Sequence, residues 1–178
     1  LQSVNAKSHS IRALQQLAEH AALGTEHWLF AHLRLAELHL RDTPWRASLH
    51  LRSVLRAKPD HDHAHAMMGL ALALQGHFRA AVQSYKHALK LSPNNPWYSH
   101  NVGHLLDVAL GEARLALPYL RRANTLEPQQ DEVLASLAHC LGELGHRAEA
   151  LAFAEHLLAR QPENREHRIL HEWLLSRS

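Results

Sequence analysis

Residues suited to a β-sheet are scarce in this sequence. Valine, isoleucine and threonine number 6, 2 and 3 among 178 residues, against 34 leucines and 27 alanines, a balance that excludes a substantial sheet and favours helix. Only one cysteine is present. Cys140 therefore has no partner for an internal disulfide, and its place in the apolar run LASLAHCLGEL suits a small core residue. No apolar stretch approaches the roughly 18 to 20 residues of a membrane span, and LQSVNAKSHS at the start lacks the pattern of a signal peptide, so a soluble, cytoplasmic protein is expected. Charge of one sign is lacking too. Nineteen basic and seventeen acidic residues leave a net +2, too even for the electrostatic footprint of a nucleic-acid binder. The first residue is Leu1 rather than methionine, which suggests a piece of a longer polypeptide.

What is present is apolar and periodic. Apolar residues make up 46% of the chain, which argues against disorder. Pro59, Pro93, Pro128 and Pro162 recur at intervals of 34, 35 and 34 residues, each after an apolar helical stretch and before a polar turn (KPDHD, SPNNP, EPQQD, QPENR). Each interval is broken near its middle by a turn signal: Asp42-Thr43-Pro44, Gly76-His77, Gly111-Glu112 and Gly145-His146. The spacing predicts pairs of short helices. Small residues fall in register as well: Gly69, Gly103 and Ala138 in first helices, then Ala47, Ala81, Ala116 and Ala150, with Ala88 and Ala123, in second helices. Helices about three turns long pack closely only where the side chains at their crossing are small, and Leu51, Tyr85, Leu120, Leu72, Leu106 and Leu141 are placed to fill the remaining space.

With Met68-Gly69, Leu72, Ala81, Tyr85 and Pro93 in one unit and Val102-Gly103, Leu106, Ala116, Leu120 and Pro128 in the next, the sequence resembles the tetratricopeptide repeat (TPR) family. A third unit follows with Leu137-Ala138, Leu141, Ala150 and Pro162. The first matches least, through Ala47, Leu51 and Pro59, with Arg34-Leu35 at the leucine-glycine position and Asp42 at the turn glycine. The expected organisation is an N-terminal helix over residues 1–27, half of a degenerate repeat, then repeats at 28–61, 62–95, 96–130 and 131–164, and a capping helix at 165–178 with Ile169, Leu170, Trp173 and Leu174 facing inward. The third repeat carries one extra residue, and Pro118 lies inside its second helix, where a distortion is expected.

The resemblance implies an all-α, right-handed superhelical solenoid of stacked antiparallel helix pairs, with first helices lining a concave groove and second helices forming the back. It also implies a non-catalytic scaffold that binds a peptide or helix of another protein. On that geometry the groove takes Leu29, His32, Ala36 and His39; His63, Ala66 and Leu70; Trp97, His100, Asn101, His104 and Asp107; and Glu132, Ala135 and His139. The partner contacts expected from this set are His32, His39, His63, Leu70, Trp97, His100, Asn101, His104 and His139, with Trp97 as the amphipathic anchor. None is lysine or arginine, which disfavours the carboxylate clamp that some family members use. Basic residues such as Arg46, Arg52, Arg56, Arg79, Lys86 and Lys90 fall on second helices instead, where a solvated back face accounts for them and an acidic partner or a nucleic-acid backbone is the alternative.

Histidine is the anomaly, with 18 copies. His100, His104 and Asp107 share one helical face and His139 stands in the next repeat, a set that would suit a metal; His167 and His171 repeat the i, i+4 spacing. Neither a supporting cysteine nor an HExxH arrangement accompanies them, so no metal and no cofactor are assigned. The pair His61-Asp62, with His32 and Asp107, is similar to the set in metal phosphohydrolases. It falls, however, at the turn after Pro59, where a helix start explains it, and no enzyme activity is assigned. Protonation near pH ~6.5 would add up to 18 charges to the net +2, so partner binding is expected to vary with pH. Two other functions fit the residues: a regulatory or targeting region of a larger enzyme whose catalytic domain lies outside this chain, and a histidine-based metal-binding module.

Overall fold

Leucine and alanine at helical spacing, punctuated by proline and glycine, give helix from end to end. The computed structural model describes residues 2–177, with side chains from Ser10 onward, and within them the chain is all helix, with no strand. The α-helices are α1 (Gln2–His20), α2 (Glu26–Leu40), α3 (Pro44–Ala57), α4 (Asp62–Leu74), α5 (Phe78–Leu91), α6 (Pro96–His104), α7 (Ala113–Leu126), α8 (Asp131–Glu143), α9 (Arg147–Arg160) and α10 (Arg165–Ser176). A π-helical turn, Leu105–Ala109, extends α6. The helices group into two units that divide between Pro93 and Asn94.

In the first unit α1 packs on α2, α2 pairs with α3, α3 packs on α4 and α4 pairs with α5. Thr25 starts α2 by accepting the Trp28 N–H at its Oγ1 (3.4 Å), while Pro44 opens α3 at a position that needs no amide hydrogen. Gly76 turns α4 into α5 with φ 78°, a conformation that a Cβ would strain. Trp28, Ala36, Leu51, Val54, Met67 and Met68 form the core. Close approach within the α4–α5 pair depends on Gly69, where a Cβ would lie 2.7 Å from the Tyr85 ring. The small-residue register is thus a packing requirement.

In the second unit α6 pairs with α7, α7 packs on α8, α8 pairs with α9, and α10 lies against α8 and α9. Tyr98, Val102, Leu106, Leu120, Leu134, Leu137, Leu141, Leu157 and Leu174 are buried. The extra residue of the third repeat is absorbed in the first helix of the pair: the Leu110 N–H donates to the Leu105 carbonyl (3.1 Å), five residues back. Pro118 does not end the second helix of the pair. α7 continues through it to Leu126. Both Pro118 and Arg114, whose carbonyl loses an amide partner, reach solvent, so water can serve that carbonyl.

α10 starts at Asn164, whose Oδ1 accepts the N–H groups of Glu166 (2.9 Å) and His167 (3.3 Å). His167 and Leu174 are buried, and Leu170 and Trp173 are half-buried. Ile169, expected to face inward, is exposed instead, because at 100° per residue it lies across the helix from His167 and Leu174.

Candidate functional site

The second unit brings together most of the residues anticipated there. Asn95 caps α6, its Oδ1 accepting from the Trp97 (3.0 Å) and Tyr98 (3.3 Å) N–H groups, and so sets the phase of the residues that follow. Trp97 is 41% exposed and meets the His100 ring edge-on, with centroids 5.9 Å apart. His100 is only 8% exposed. Its Nε2 lies 3.0 Å from the Ser136 hydroxyl, and His104 Nδ1 lies 3.2 Å from the same oxygen. One hydroxyl on α8 thus ties two imidazoles of α6 in place. Asn101 is half-buried beside them.

The π turn directs Asp107 toward α8, where its Oδ2 accepts the His139 Nδ1–H at 2.6 Å. His139 in turn stacks on Trp173 of α10, with centroids 4.9 Å apart and planes 11° from parallel, and the Arg177 guanidinium lies 4.6 Å from the Trp173 ring centre. Beside this column opens a cleft of about 470 Å³, lined among others by His104, Val108, Glu132, Ser136, His139, Arg160, Asn164, His167 and Leu170. Arg160 at its edge is paired with Asp131 at 2.7 Å.

Burial sets the protonation of this cluster. Desolvation, helped by the neighbouring His104, pushes His100 down to about 4, and burial also lowers His104, with Asp107 opposing in part. His139 moves the other way, raised by its hydrogen bond to Asp107. The site therefore combines neutral imidazoles with one that holds its proton more tightly. Cys140 is pushed up to about 12 by burial, and its Sγ–H donates to the Ala113 carbonyl (3.3 Å), which makes it a poor nucleophile. Among the described residues, no three His, Cys, Asp or Glu side chains are grouped to hold a metal ion. The set suggested by spacing is divided: His100 and His104 turn to Ser136, Asp107 to His139.

In the first unit His32 is half-buried, with its Nδ1 3.1 Å from Nδ1 of His50, so one ring donates and the other accepts. His39, 8% exposed, bonds Thr43 Oγ1 through Nδ1 (2.8 Å) and stacks on His50. His50 is pushed down to about 4 by burial and by the two neighbouring imidazoles. His63 and Leu70 are exposed on α4. The His61-Asp62 pair serves the fold: His61 Nδ1 accepts the Ala64 N–H (3.2 Å) as the cap of α4, and Asp62 accepts from the Ser92 hydroxyl (2.7 Å).

Sequence reasoning did not place His50, Ser136, Arg160 or Asn164 in the site, and read Trp173 only as a packing residue of the cap and His167 only as the partner of His171. Ser136 could have been found, since it stands one helical turn before His139. His50 lies on the side of α3 that meets α2, where its ring reaches His32 and His39.

Two sequence patterns match the chain, one described as TPR repeat over residues 69–106 and one as tetratricopeptide repeat over residues 107–174. The chain belongs to the tetratricopeptide repeat family. As a TPR protein it is an all-α solenoid of stacked helix pairs and a protein-interaction scaffold. Solved TPR structures share its fold. MamA is 16% identical, with 91% of this chain and 92% of that chain covered at a TM-score of 0.79. YrrB, described as a TPR protein with an unusual peptide-binding site, is 18% identical, with 94% and 93% covered at 0.75. A thermophilic TPR protein of Thermus thermophilus, TTC0263, is 18% identical, with 98% and 93% covered at 0.68. Comparison with curated proteins gives no match. No helix among the described residues of this TPR chain is long and apolar enough to cross a membrane.

Proposed function

We propose that this TPR scaffold holds a peptide or helical segment of a partner protein, and that the cleft of the second unit is the principal contact. The observation that carries this reading is the cleft itself, walled by an imidazole that Asp107 and Trp173 hold in position and placed on the helix pairs that such scaffolds use for binding. Trp97 acts as an exposed anchor, Asn101, His104 and His139 supply hydrogen bonds, and Val108 and Leu170 supply apolar contact. In the first unit His32, His63 and Leu70 add contacts of the same kind. His39 and His100 are buried and support their neighbours rather than touch the partner. YrrB, of the same fold, is described as having a peptide-binding site, which agrees with this use of the architecture.

A binding role agrees with the state of Cys140, whose thiol is buried and held protonated. The test is to select peptides by display against the whole chain and titrate them calorimetrically into the protein and its Trp97→Ala and His104→Ala variants. Each variant is expected to lose affinity about tenfold or more with an unchanged melting temperature. Selected peptides that bind both variants as tightly as the parent would refute the site.

A further inference from the structure

The outer face of α3 in the first unit carries a second surface that the cleft leaves unused. Ala47, Ser48, Leu51 and Val54 are the buried side of that helix. At 100° per residue, Trp45, Leu49, Arg52 and Arg56 share the opposite side within an arc of about 60°. All four are exposed, Trp45 by 52% and Leu49 by 51%, and the Arg46 guanidinium lies 5.1 Å from the Trp45 ring centre. The helix contains no Asp or Glu. The result is a stripe about 16 Å long, apolar at its N-terminal end and cationic at its C-terminal end. Complementing the helix dipole accounts for Arg56 in the last turn, but not for Arg52 in the turn before it or for a tryptophan and a leucine side by side in water.

We propose that this stripe docks an acidic amphipathic helix of a partner protein, whose apolar residues pack on Trp45 and Leu49 and whose carboxylates pair with Arg52 and Arg56. The chemistry favours this occupant. Both cations of the stripe are arginines, whose planar fork matches a carboxylate, and apolar and charged contacts follow one another in line, as they would on a helix laid along α3. A nucleic-acid backbone would use the arginines and leave Trp45 and Leu49 without a role.

The probe is a synthetic helix of about 14 residues with leucines on one face at one end and glutamates on the same face at the other, compared with the same peptide carrying lysine for glutamate. Binding to the whole chain is read from the Trp45 indole N–H resonance, assigned with Trp45→Phe, and from titration calorimetry. The glutamate peptide is expected to shift that resonance, more weakly as salt rises. An Arg52→Glu, Arg56→Glu double variant is expected to stay folded with only a small drop in melting temperature, lose the glutamate peptide by about tenfold or more, and gain the lysine peptide. Equal binding of the two peptides, undiminished binding by the double variant, or a Trp45 response to phosphatidylserine vesicles or a DNA duplex in place of the glutamate peptide would overturn the proposal. So would loss of the glutamate peptide on Trp97→Ala or His104→Ala, which would place it in the cleft of the second unit.

Discussion

Asp107 Oδ2 and His139 Nδ1 lie 2.6 Å apart, joining the π turn after α6 to the middle of α8 across 32 residues of sequence. The Asp107 side chain is 1% exposed, so the carboxylate depends on this bond for its stabilisation. Asp107→Asn keeps an acceptor oxygen but removes the charge. The His139 midpoint, followed by imidazole proton chemical shifts against pH, should then fall, because burial is left without the opposing carboxylate, at a stability cost of about 1 kcal/mol. An unmoved midpoint would show that Asp107 does not govern His139.

Gly142 lets α10 approach α8. A Cβ there would stand 2.5 Å from Leu174 and 2.7 Å from Trp173, two of the side chains that seat the last helix. Gly142→Ala should therefore loosen α10 by about 1–3 kcal/mol and part Trp173 from His139. Hydrogen exchange should speed up in Arg165–Ser176 while α6 stays protected; uniform protection in both would contradict this contact.

The start of the same helix rests on one side chain. Asn164→Ala removes the acceptor for the Glu166 and His167 amides, and a loss of about 1 kcal/mol is expected. Denaturant unfolding measures it, and Asn164→Asp should recover most of the loss. Gly142 was not identified from the sequence, because its importance comes from the way α10 docks, whereas Asn164 acts within the first turn of its own helix.

Acid should destabilise the protein before it reaches the carboxylates. His32, His50, His100 and His104 have folded pKa values below the ordinary 6.5, so the unfolded chain binds their protons first. Their contribution is full above about pH 6.5 and is lost as pH falls toward about 4. His139 is raised, and its smaller, opposite contribution is full below 6.5 and lost as pH rises through its folded value. Four groups outweigh one. The melting temperature should drop by about 5 °C between pH 7 and pH 5, by calorimetry, and His100→Gln should flatten that slope. A melting temperature that rises over the same interval would reverse the assignment.

Local chemistry determined what the sequence alone could show: helix without sheet, turns at the spaced prolines and glycines, and small residues where paired helices touch. Each of these follows from a residue and its neighbours within a turn or one repeat, and periodicity records such relations directly. Tertiary structure decided the rest. The extra residue of the third repeat became a π turn, and this turned Asp107 onto His139; Trp173 found the same imidazole through the docking of α10. Spacing suggested a metal set where packing made two separate hydrogen-bonded groups, because the meeting of side chains some thirty residues apart depends on helix crossings and rotamers that no local pattern encodes.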